Sequence, residues 1–185
     1  MVLERVAARV VLAHGASGSA ASMRAHVAGL RDRGVDAHAI DIPKRKAEDA
    51  LPAYLATLAA LPPLRPGTRL VIGGHSYGGR VASLLAAEGR VPGLAGLVCF
   101  SYPLHRPGGP QSGLRSEHWP RIAVPTLILE GEADPFDRMD QLRAAMSLLP
   151  AGRLVTFPAQ GHGLGAVLDE ALDALIAWLL RDVPR

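Results

Sequence analysis

Short apolar stretches rich in β-branched residues return about every 30 residues, separated by segments whose apolar side chains repeat at helical spacing. The first stretch, Val6 to Ala13, ends at His14-Gly15-Ala16-Ser17-Gly18. A helix is predicted from about Ser19 to Arg33, with Met23, Val27 and Leu30 on one face and Gly34 ending it. Val35 to Ile42 reads as the second strand, stopped by Pro43. The helix after it spans about Glu48 to Leu61, with Pro52 tolerated in its first turn. Leu70 to Gly73 is the third strand, and Ser76 opens a helix that fades at Gly89. Leu94 to Ser101 is the fourth strand. Thr126 to Glu130 is the fifth, followed by a helix carrying Met139, Leu142, Met146 and Leu149. Arg153 to Phe157 is the sixth, and a last helix runs from about Leu164 to Arg181.

Strands alternating with helices predict an α/β fold: about six mostly parallel strands with helices on both faces, in one domain over residues 1–185. In such sheets, sites lie beyond the carboxyl ends of the strands. That rule draws together residues far apart in sequence: His14-Gly15, Ser76, Asp134 and His162 each follow a strand. Pro103 to Pro120 has little periodicity, and a loop of that length in a compact domain is usually functional or mobile.

Composition narrows the function classes. The net charge of +3 comes from scattered basic residues, which gives no footprint for nucleic acid. The one basic run, Lys44-Arg45-Lys46, reads as a solvated loop. No stretch approaches the roughly 18 apolar residues of a membrane helix. The amino-terminal residues lack a signal-peptide pattern, so a cytoplasmic location is expected. Cys99 is the only cysteine, which excludes an intrachain disulfide, and its apolar neighbours predict a core position.

Gly74-His75-Ser76-Tyr77-Gly78, set between a strand and a helix, has the G-x-S-x-G form of a nucleophile elbow. Its glycines allow a strained turn in which a Cβ at either flank would strike the adjoining strand or helix. Serine is a weak nucleophile and needs a base, and a histidine base needs a carboxylate to fix its tautomer. Ser76, Asp134 and His162, each following a strand, can supply these three groups, with Asp137 as an alternative acid. The Tyr77 N–H is the first expected oxyanion donor, and Ala16, in the loop after the first strand, is the second. Histidines lack ligand spacing, so no metal is expected, and no cofactor.

With these residues, the chain resembles the α/β-hydrolase superfamily over nearly its whole length. His14-Gly15-Ala16-Ser17-Gly18, Gly73 to Arg80, Ser101-Tyr102-Pro103-Leu104-His105 and Leu114-Arg115 are similar to a narrower group. That group includes bacterial dienelactone-hydrolase-like proteins, a testis-expressed protein and a histone-acetyltransferase-complex subunit. The superfamily resemblance implies a serine hydrolase acting on a small-molecule ester, thioester or amide through an acyl-enzyme. The alternatives are a non-catalytic interaction module on the same fold, or acyl transfer. Serine at position 76, where dienelactone hydrolases proper have cysteine, does not carry lactone hydrolysis over. The superfamily core usually has eight strands, so this chain is expected to be a minimal version without a cap. Its site would then be covered only by the 103–120 loop, with Tyr102 and His105 lining the acyl or leaving-group pocket.

Overall fold

The computed structural model describes residues 6–106 and 113–184. Six strands are formed: β1 (Ala8–Ala13), β2 (Asp36–Ile40), β3 (Arg69–His75), β4 (Leu94–Phe100), β5 (Thr126–Gly131) and β6 (Gly152–Phe157). They pair in the order β2-β1-β3-β4-β5-β6, and every pairing is parallel. Among the described residues five α-helices cover them: α1 (Arg24–Asp32), α2 (Ala47–Ala59), α3 (Tyr77–Ala87), α4 (Met139–Ala145) and α5 (Leu168–Arg181).

Successive strand side chains point to opposite faces, so each strand feeds two cores. Val11, Ala13, Ile72, Leu97 and Cys99 pack with α2, α3 and α4 on one face. Val10, Leu12, Val71, Val98 and Phe100 pack with α1 and α5 on the other. This explains the continuous apolar runs: a strand covered on both sides has no polar face. The register places Gly73 beside Leu12 and Gly74 beside Ala13, so the end of β3 abuts the end of β1. No helix among the described residues is long and apolar enough to cross a membrane.

Two expectations are corrected. A 3-10 turn, Gly165–Val167, precedes α5, which begins at Leu168 rather than Leu164; Leu164 is buried ahead of it. The 103–120 segment is not a loose cover in its described parts. Leu104, Ser116, His118 and Trp119 are buried, and Arg115 N–H donates to the Leu104 carbonyl at 2.7 Å. Its polar composition hides apolar anchors that fill the end of the α2–α4 core.

Candidate active site

Ser76 stands between β3 and α3 at φ 50° and ψ −112°, a left-handed conformation that non-glycine residues seldom adopt. The turn is locked from both sides. Ser76 N–H donates to the Phe100 carbonyl at 2.8 Å, and Arg80 N–H donates to the Ser76 carbonyl at 3.0 Å. At Gly74, a Cβ would lie 2.3 Å from the Ala13 carbonyl oxygen, so the elbow can close onto β1 only without a side chain there.

The structure brings Ser76, His162 and Asp134 into one hydrogen-bonded chain. The Ser76 hydroxyl lies 2.8 Å from His162 Nε2, and His162 Nδ1 lies 2.7 Å from Asp134 Oδ2. The carboxylate therefore accepts the hydrogen bond from Nδ1–H, leaving the Nε2 lone pair to accept the hydroxyl hydrogen. Asp134 Oδ1 accepts the Phe136 N–H at 2.8 Å. The Asp134 side chain is fully buried, whereas that of His162 is 21% exposed, so the chain runs from the interior toward solvent. Burial pushes the Asp134 carboxyl up, but hydrogen bonds to His162, Glu130 and the Phe136 amide outweigh it. The group lies below its ordinary value. His162 bonds to Asp134 and not to Asp137, whose oxygens have no hydrogen-bond partner among the described residues.

Aromatic and imidazole rings hold the base. Phe136 meets His162 edge-on with centroids 4.3 Å apart. His75 lies 5.1 Å away on another side, and its Nε2–H donates to the His162 carbonyl at 3.3 Å. Burial, then the neighbouring His162, lowers the His75 pKa, which keeps a second positive charge away from the base.

Tyr77 opens α3, where the first turn leaves N–H groups without intrahelical acceptors. Its ring is anchored away from the serine: the hydroxyl donates to the Pro43 carbonyl at 2.8 Å and accepts the Arg45 N–H at 3.2 Å. Ala16 sits in an exposed turn closed by the Gly18 N–H bond to the Gly15 carbonyl. His14, 1% exposed, fixes that turn. Its Nε2 accepts the Ile42 N–H at 3.2 Å, so Nδ1 carries the hydrogen and donates to the Gly15 carbonyl at 2.7 Å. In a trans peptide the C=O and the following N–H point opposite ways. With the Gly15 carbonyl held by two donors, the Ala16 N–H is directed away from them.

Tyr102 and His105 are both buried. Tyr102 is 0% exposed, stacks edge-on with Trp119 at 5.1 Å and donates its hydroxyl to the Arg115 carbonyl at 2.6 Å. His105 is 3% exposed and faces the Arg106 carbonyl. Both turn inward because the chain leaves β4 through the core. The clefts at Arg69, Gly93 and Pro125 and at Gly152, Trp178 and Asp182 lie at the other end of the sheet. β3 alone separates the first of them from Ser76 by about 20 Å. His14, His75 and Glu130 had no role assigned from the sequence. For Glu130 a signal existed: an acid ending the otherwise apolar run Thr126-Leu127-Ile128-Leu129.

A family model described as an alpha/beta hydrolase domain matches residues 6–167. No curated protein matches the chain. Among solved structures, the chain is similar to Est1E from Butyrivibrio proteoclasticus with ferulic acid bound. The identity is 19% and the TM-score 0.77, over 95% of this chain and 88% of that one. It is also similar to a monoacylglycerol lipase from Paleococcus ferrophilus, at 18% identity and TM-score 0.76, over 93% of each chain. TT1662 from Thermus thermophilus shares 23% identity, with TM-score 0.70 over 95% of this chain and 90% of that one.

Proposed function

The chain belongs to the alpha/beta hydrolase family, and we propose that it is a serine hydrolase that cleaves a small or exposed carboxylic ester through an acyl-enzyme. The observation that carries this reading is the continuous chain Ser76 Oγ–His162 Nε2, His162 Nδ1–Asp134 Oδ2, at 2.8 and 2.7 Å. A scaffold has no physical need for a strained serine aimed at a histidine that is itself held by a buried carboxylate.

In this mechanism His162 takes the Ser76 proton as Oγ attacks the acyl carbonyl, and Asp134 stabilises the imidazolium. The Tyr77 and Ala16 N–H groups receive the oxyanion, each such donor being worth about 3 kcal/mol in the transition state. His162 then gives its proton to the leaving alcohol. Water deprotonated by His162 attacks the acyl-enzyme, and Ser76 recovers its proton as the acid departs. The monoacylglycerol lipase among the similar structures supports the ester class. The motifs around Ser76 and Ser101 support a place near the dienelactone-hydrolase-like proteins.

Labelling with a fluorophosphonate probe tests the reading. The native chain should label and Ser76→Ala should not. A folded native chain that stays unlabelled overturns it.

A further inference from the structure

Behind Asp134 lies a second acid that the mechanism does not use. Glu130 belongs to β5, every residue of which is buried, and is itself 0% exposed. Its Oε1 accepts the Gly131 N–H at 3.2 Å, and its Oε2 has no hydrogen-bond partner among the described residues. Asp137, 9% exposed, has both carboxyl oxygens in the same condition. What Glu130 does meet is other acids: the Asp134 and Asp137 carboxyl groups are the charged groups acting on it. The Gly131 amide donates to it, and the Cys99 thiol of β4 also feels its charge.

A buried carboxylate with one hydrogen bond, touching other carboxylates, is strongly unfavourable. Among the described residues no group of His, Cys, Asp and Glu is arranged to hold a metal ion. A proton is therefore what reconciles these acids. Resting on the reading above, in which Asp134 orients His162, we propose that Glu130 is a positioning residue that remains a carboxylic acid and donates its hydroxyl hydrogen to the Asp134 carboxylate. The negative charge settles on Asp134 because Asp134 already has two N–H donors, from His162 and Phe136, whereas Glu130 has one. A third donor holds the Asp134 plane in line with the imidazole. The opposed shifts agree: burial, then contact with Asp134, pushes Glu130 well up, while Asp134 lies below its ordinary value.

Glu130→Gln keeps a donor toward Asp134 but cannot ionise, and Glu130→Met keeps the bulk without a donor. An acid that ionises only on unfolding removes stability as pH rises above the ordinary carboxylate range. In urea unfolding between about pH 5.5 and about pH 8.5, the native folding constant should fall about tenfold more per pH unit than that of Glu130→Gln. The native chain should also show an infrared carboxylic-acid carbonyl band at about pH 8.5 that Glu130→Gln lacks. Equal pH slopes, or no difference band, overturn the proposal. In turnover, Glu130→Met should lose at least about tenfold more kcat/KM than Glu130→Gln, with its acid limb moved to higher pH. Equal losses overturn the positioning role. If Glu130→Met does not fold, the unfolding and infrared comparisons still decide. Neither needs activity, so a failure of the hydrolase reading, seen as absent fluorophosphonate labelling, stays distinct from a failure here.

Discussion

Gly78, in the first turn of α3, lies so close to Ala13 at the end of β1 that a Cβ on it would stand 2.3 Å from the Ala13 carbonyl oxygen. The two elements in contact are those that carry Ser76 and the loop of residues 14–18. Gly78→Ala should therefore destabilise the chain by about 1–3 kcal/mol in urea unfolding. It should also lower the labelling rate of the fraction still folded. Gly165→Ala, where nothing lies within 4 Å, is the control and should leave the midpoint almost unchanged.

Asp134 and Asp137 are three residues apart, but only Asp134 meets His162. Asp134→Asn removes the acceptor that sets the imidazole tautomer and should lower kcat on the order of 10⁴-fold. Asp137→Asn should lose far less. Burial, then the Asp134 charge, pushes the Asp137 pKa up. The folded chain therefore keeps a proton there that the unfolded chain releases, and stability falls as pH rises from about 4. Asp137→Asn removes that loss, so its melting temperature should exceed the native one by more at about pH 8 than at about pH 5.

His14 acts through the Gly15 carbonyl and the Ile42 amide. Its replacement by alanine frees the turn that presents the Ala16 N–H. A donor displaced by about 1 Å costs up to about 100-fold. Steady-state assays of His14→Ala should show kcat falling by about 10- to 100-fold with a smaller change in KM. An unchanged kcat would count against Ala16 as an oxyanion donor.

Tyr54 on α2 is completely buried, and its hydroxyl sits between β1 and β3. Its single hydrogen is shared between the carbonyls of Val11 at 3.1 Å and Gly73 at 3.0 Å, and its oxygen accepts the Gly73 N–H at 3.2 Å. Tyr54→Phe would leave these buried groups of the strand before the elbow short of a partner. A loss of about 1–3 kcal/mol is expected in denaturant unfolding.

The sequence by itself determined what depends on neighbours along the chain. Apolar runs without a polar face specify strands covered on both sides, and six of them appear where the periodicity places them. Gly74 and Gly78 around Ser76 announce a turn that only residues without a Cβ permit. The placement of Ser76, Asp134 and His162, each following a strand, indicated which side chains to look for at one sheet edge. Tertiary structure alone decided between Asp134 and Asp137, because that depends on which carboxylate the chain after β5 turns toward His162. It also turned Tyr102 and His105 inward, since the exit of β4 runs through the core and their polar atoms find backbone carbonyls there. Glu130 and Tyr54 follow the same rule. Tyr54 looks like one residue of an apolar face and Glu130 like a lone acid ending an apolar run, and the polar atoms of each take on a role only through groups the fold brings to them. Hydrophobic pattern records which side of an element is buried; it carries no record of what a buried polar atom meets there.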